Sequence, residues 1–207
     1  MAAVQGSAAR LVEVALAEEG YIEGPKDNET KFGAFTGSNF QPWCGSFVMW
    51  CANEAQVKMP NTVYTPGGAQ AFMKAGTWQK AEEATPQPGD IAYFDFPNDG
   101  VDRISHVGIV VKDNGDGTVM VIEGNTTKAK AGDQRNGGEV CLQRRAYKKK
   151  NGSKVMPSKP VAIVGFGRPA FGTPVKKKEI KAAAPAKPSV KKTPAKATAK
   201  KSTPKKK

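Results

Sequence analysis

Leu11, Val14 and Ala15, with Glu18 beside them, recur at helical spacing, and Ser7 stands where an N-cap belongs, so a helix is predicted over 7–19. The stretch 20–42 loses that rhythm to Gly, Pro, Asn and Asp and reads as turns. Periodicity returns in PWCGSFVMWCANEA, where Cys44, Phe47, Val48, Cys51, Ala52 and Ala55 fall on one continuous face of a second helix. A third, short helix over 66–75 takes Thr65 as its cap and Pro66 as its first residue. Beyond Pro88 the pattern changes to apolar, β-branched runs: DIAYFDF, ISHVGIVVKD, TVMVIEGN, EVCLQRRAY and VAIVGFGRP. NGDG between the second and third of these is a hairpin signal. Helices first and strands afterwards predict an α+β fold, with an antiparallel meander packed on the Cys44 helix.

Charge sets the domain boundary. The formal net charge is +13, and the segment 173–207 holds thirteen lysines against one acid, Glu179, which leaves +1 on residues 1–172. The basic character therefore belongs to a tail, and it makes no case for nucleic-acid binding by the folded body. We expect one domain over 1–172 and a Lys/Ala/Pro/Thr-rich basic tail over 173–207, disordered because it has too little apolar surface to bury. Such a tail suits any dense polyanion, anionic wall polymers included, or serves only as a solubilising appendage. The first twenty residues carry Glu13, Glu18 and Glu19 without an apolar run and do not read as a secretory signal. No stretch approaches the ~18 apolar residues of a membrane span. The expectation is a monomer made in a cytoplasm, with its three cysteines as free thiols.

Cys44 follows Pro42 and Trp43 and opens its helix, where unpaired backbone N–H groups and the helix dipole favour a thiolate. Packing as a small apolar residue is the competing reading, and it is the one we adopt for Cys51, two turns along the same face. The two cysteines lie ~10.5 Å apart along an ideal helix, beyond the ~7 Å reach of a disulfide. The chain has a single histidine, His106, so any Cys–His pair must use it. It sits in the run ISHVGIVV on the same strand face as Ile104, Gly108 and Val110. If NGDG closes a hairpin, Glu123 and Asn125 of VIEGN lie on that face too. A carboxylate or amide there would fix the imidazole tautomer, leaving the other nitrogen to take the thiol proton.

PWCGSFVMWC, PGDIAYFDF, SHVGIVV, IEGN and VGFGRP, in this order, resemble the CHAP domain, a papain-like cysteine, histidine-dependent amidohydrolase/peptidase of phage endolysins and bacterial autolysins. The resemblance covers roughly 8–169. It implies Cys44 as nucleophile, His106 as base, Glu123 as acidic third member and Asn125 as amide fourth member. It also implies peptidoglycan as substrate and a thioester acyl-enzyme. Whether the enzyme is an amidase or an endopeptidase stays open. Beside these we place Trp43 in a substrate groove, ahead of Phe40, Tyr64 and Trp78; next to the Cys44 N–H, Gln41 reads first as plain loop polarity, with a second oxyanion donor as the alternative. Some family members bind calcium before the cysteine. Here Asp27, Asn28 and Glu29 follow no recognised calcium-loop spacing and read as a solvated turn, with calcium as the alternative. One histidine and three scattered cysteines do not make a zinc site. The leading expectation is a phage endolysin, held in the host cytoplasm until lysis and then acting on the cell wall. The alternatives are a virion-associated hydrolase and a non-catalytic module that binds wall or nucleic acid through its tail.

Overall fold

The computed structural model describes residues 2–96, 103–128, 134–147 and 162–178. Among these residues four helices precede the strands: α1 (Ala8–Leu16), α2 (Lys31–Thr36), α3 (Cys44–Glu54) and α4 (Thr65–Lys74). Ser7 caps α1 by accepting from the Arg10 N–H, and Leu11, Val14 and Ala15 are its buried face. α2 lies inside the stretch that reads as turns. Thr30 caps it by accepting from the Gly33 N–H, and Gly37 ends it in the left-handed conformation at φ 76°. α4 begins one residue earlier than predicted. Tyr64 is its N-cap, and the Thr65 hydroxyl instead donates to the carbonyl of Ile104.

Among the described residues six strands form one antiparallel sheet: β1 (Trp78–Lys80), β2 (Ile91–Phe94), β3 (His106–Asp113), β4 (Thr118–Thr126), β5 (Glu139–Ala146) and β6 (Ile163–Gly167). Their order is β1-β6-β2-β3-β4-β5. The predicted meander holds from β2 to β5. The last strand departs from it, returning to lie between β2 and β1. Gly165 and Gly167 account for that position. A Cβ at Gly165 would stand 2.1 Å from the Trp78 ring and one at Gly167 2.4 Å from the Phe72 ring, so β6 is a bare surface on which those aromatics lie.

The sheet has two buried faces. Ile91, Tyr93, Val107, Ile109, Ile122 and Val140 pack with the buried faces of α1 and α3. Ala92, Phe94, Val110, Val119, Val121 and Phe166 gather under Tyr147, Ala81 and Ala84. All six residues of the predicted α3 face are buried. Two glycines let α3 come this close. A Cβ at Gly45 would lie 2.2 Å from the carbonyl oxygen of Thr62, and one at Gly124 would lie 2.7 Å from both the Trp43 ring and Phe47 Cβ. Because the Thr62 contact is backbone, which cannot swing aside, Gly45→Ala should cost about 2–3 kcal/mol. A lowered thermal midpoint, with far-ultraviolet circular dichroism unchanged at low temperature, is the expected measurement.

Residues just beyond 172 also touch the body. Val175 N–H donates to Gln56 O, Lys177 pairs with Glu54, and the Lys178 N–H and carbonyl both bond the Asn53 side chain. The chain therefore stays on the body at least to Lys178, docked at the C-terminal end of α3. The rest of the predicted tail, 179–207, lies outside the described residues. Among the described residues no helix is long and apolar enough to cross a membrane.

Candidate active site

Cys44 is the first residue of α3, and Trp43 precedes it as an N-cap that makes no side-chain capping bond. The first-turn N–H groups of a helix have no partner within it, so the Cys44 thiol sits beside uncapped donors at the positive end of the dipole. His106 opens β3 and is fully buried. The register pairs Gly108 with Glu123 and Val110 with Val121, so His106 and Glu123 share the sheet face of Val110 and Val121. They meet: His106 Nε2 lies 3.0 Å from Glu123 Oε2, with both side chains fully buried. Gly108 makes the diagonal crossing possible, since a Cβ there would stand 2.8 Å from Glu123 Cγ.

That contact uses Nε2 and leaves Nδ1 as the only ring nitrogen able to exchange a proton with a thiol. Nδ1 is buried without a hydrogen-bond partner. Cys44 acts on the ring, which makes its thiol the group available to Nδ1. Burial alone would lower the pKa of His106. The Cys44 thiolate and the Glu123 carboxylate outweigh it and raise the imidazole to about 9. Burial likewise pushes Glu123 upward, and the charge of Arg145, with its hydrogen bonds and those of His106, brings the carboxylate below its usual value. Phe94 and Phe96 flank the imidazole at 5.3 and 5.5 Å between ring centroids.

Asn125 shares this end of β4 but does not touch the imidazole. Its Nδ2 donates to Asn28 Oδ1 at 3.3 Å and to Asn136 Oδ1 at 3.0 Å, tying the strand end to the loop that precedes α2. Its own Oδ1 is buried without a partner, and its φ of 58° marks the break in the β4–β5 register. Gln41 is exposed in the turn leading into α3.

Trp43 is not a groove residue. It is 0% exposed, stacked on Phe32 at 5.4 Å, edge-on to Tyr21, and donates its indole N–H to Glu23 Oε2 at 3.0 Å. Tyr21 and Phe32, from the turn-rich stretch and α2, close a box around the indole and turn it inward. Phe40 and Tyr64 are instead the exposed aromatics, at 50% and 65%. The loop of Asp27, Asn28 and Glu29 does not fit a calcium site. Asn28 is buried, its Oδ1 accepts from Asn125 and its Nδ2 donates to Asp27, whereas calcium needs about six to eight converging oxygens. Among the described residues no three His, Cys, Asp or Glu side chains gather as metal ligands. All three cysteines are free, and burial raises the Cys51 thiol well above its ordinary value, consistent with packing.

Sequence reasoning missed two partners of the site, Arg145 and Asn28. Arg145 grips Glu123 with two hydrogen bonds of 2.7 Å. The strand EVCLQRRAY carried the signal, since paired with β4 it brings a cation alongside a buried acid. Nothing local marked Asn28 as buried.

The family model of the CHAP domain matches residues 36–125, a span that contains Cys44, His106, Glu123 and Asn125. Among solved structures, a protein similar to a lipoprotein of the NLP/P60 family from Staphylococcus aureus subsp. aureus Mu50 matches at 17% identity and a TM-score of 0.38. That match covers 81% of this chain and 43% of the other, so the chain spans less than half of its neighbour's length. The comparison with curated proteins returned no match. Over residues 36–125, somewhat less than half of the chain, the protein is thus similar to the CHAP domain.

Proposed function

We propose that the protein is a peptidoglycan hydrolase that cleaves an amide bond of wall peptides with Cys44 as nucleophile. The observation that carries this reading is the buried chain of Cys44, His106 and Glu123 at the head of α3. In the first half-reaction the Cys44 thiolate attacks the carbonyl carbon, and the Cys44 N–H stabilises the oxyanion. The C–N bond then breaks, the leaving amine takes the imidazolium proton and a thioester remains. Water attacks the thioester, His106 accepts its proton, and the carboxylate product leaves with the thiolate restored. Glu123 holds the ring through Nε2, and Asn125 ties the end of β4 to the loop ahead of α2. Peptidoglycan digestion followed by mass analysis tests the reading and names the bond: sugar freed from stem peptide means an amidase, a cut stem or cross-bridge an endopeptidase. Intact peptidoglycan after incubation with folded protein would remove the hydrolase reading.

The imidazolium is the acid for the leaving amine, so kcat/KM should fall as the pH rises through about 9. The same proton has a stability sign. Because the folded-state value lies above the ordinary 6.5, its contribution is complete below pH 6.5 and is lost as the pH rises through about 9. A pH–rate profile of wall digestion locates the alkaline limb.

As a biological setting we propose a phage endolysin, kept in the host cytoplasm until lysis, with peptidoglycan as substrate and the lysine-rich tail as a polyanion tether to the wall. Lys178 is docked at Asn53, ~13.5 Å along α3 from Cys44.

A further inference from the structure

Glu123 is a fully buried carboxylate, and the imidazole alone cannot settle its charge. In the reactive form His106 carries one positive charge and faces two anions, the Cys44 thiolate and Glu123. A buried group of net −1 would protonate one member, and a protonated Glu123 would no longer accept from an imidazolium N–H. Arg145 supplies the missing charge. Its Nε donates to Oε1 and its Nη2 to Oε2, both at 2.7 Å, a two-pronged geometry that also fixes the plane of the carboxylate presented to His106. The guanidinium is fixed in turn. Gln134 Oε1 accepts from Nη2 at 3.0 Å, and the cation lies 5.7 and 5.6 Å from the Phe94 and Phe96 ring centroids, the rings that also flank His106.

We infer that Arg145 is a positioning residue of the reaction, which neutralises Glu123 and aims it at His106, so that the working unit is the four-member chain Cys44, His106, Glu123 and Arg145. This inference rests on the proposed Cys–His chemistry. Among the described residues, the charged and titratable groups around Glu123 are His106 from β3, Arg145 and Cys141 from β5, and Cys44 of α3 acting through His106. Glu139 and Lys128 surround Cys141 at the far side. Arg145 is the one cation among them, apart from His106, that hydrogen-bonds Glu123.

The test uses the full chain with Arg145→Met, Arg145→Lys, Glu123→Gln and the double variant Glu123→Gln/Arg145→Met. It has two readouts: the pH profile of peptidoglycan hydrolysis, and the pH profile of Cys44 alkylation by iodoacetamide, resolved from Cys51 and Cys141 by peptide mass. In Arg145→Met the acid limb of both profiles should rise by about one pH unit or more, because burial is then opposed only by His106. Hydrolysis at neutral pH should fall about tenfold or more. Arg145→Lys should restore the limb, since it keeps the charge, but recover only part of the rate, since it cannot grip both oxygens. In the Glu123→Gln background, Arg145→Met should cause little further loss. A residue that merely packs on Phe94 and Phe96 would lower stability and leave the limbs in place.

The inference is overturned if folded Arg145→Met keeps the wild-type limbs, or if the double variant loses about tenfold beyond Glu123→Gln alone. The latter comparison also decides the matter if Arg145→Met alone does not fold. Alkylation needs no wall substrate and so separates two failures. If wild-type Cys44 reacts no faster than an ordinary thiol, the Cys–His reading fails and this inference with it. If it reacts fast and the Arg145 variants react identically, only the inference fails.

Discussion

Replacing His106 with asparagine should lower peptidoglycan hydrolysis by about a thousandfold or more, while the protein stays folded. The chain has no second imidazole to substitute for it. Two losses combine. The Cys44 thiolate loses the cation whose proton it shares, and the leaving amine loses its acid. Asparagine keeps a polar group that reaches toward Glu123 in a pocket lined by Phe94 and Phe96, so the buried carboxylate is not abandoned. The rate is measured on purified peptidoglycan, with an unchanged far-ultraviolet circular dichroism spectrum at the assay temperature as the folding control. A variant within about tenfold of wild type would show that His106 is not the base.

Glu123→Ala should give the largest stability loss of any single change in the site, about 3–5 kcal/mol, because it strands a buried cation. Arg145 would keep only Gln134 and two aromatic faces as partners, and His106 would lose its orienting acceptor. Glu123→Gln keeps the shape and one acceptor oxygen, and should lose less stability but similar activity. Urea unfolding midpoints of the two variants, compared at constant slope, measure the difference. Equal stability of Glu123→Ala and wild type would mean that the four-member chain contributes nothing to holding the strands β3, β4 and β5 in place.

What the sequence made legible was local or set by parity. The α3 face could be read because helical period places Cys44, Phe47 and Cys51 on one side wherever the helix packs. His106 and Glu123 could be brought together because a short hairpin fixes which strand residues share a face. The errors came from what parity does not carry. Trp43 neighbours the nucleophile in sequence, yet the residue before a helix points away from its first turn, and here Phe32, Tyr21 and Glu23 draw the indole into the core. α2 lay hidden because its glycines look like turn formers, although Gly33 is there for space, with Asn39 2.9 Å from where a Cβ would lie. The position of β6 depends on rings from β1 and α4, far apart in sequence. Lysine composition concealed the docking of 173–178, which is made largely by backbone groups. Arg145 was invisible as a site residue because its partner lies on the neighbouring strand, four register positions from its own pair.

The central claim is that Cys44 is the nucleophile of an amide hydrolase. The most direct measurement is release of new amino groups from purified peptidoglycan by wild-type protein and by Cys44→Ala, each shown to be folded. The account predicts release by the wild type, falling by about a thousandfold or more in the variant. Comparable release by both proteins would contradict it.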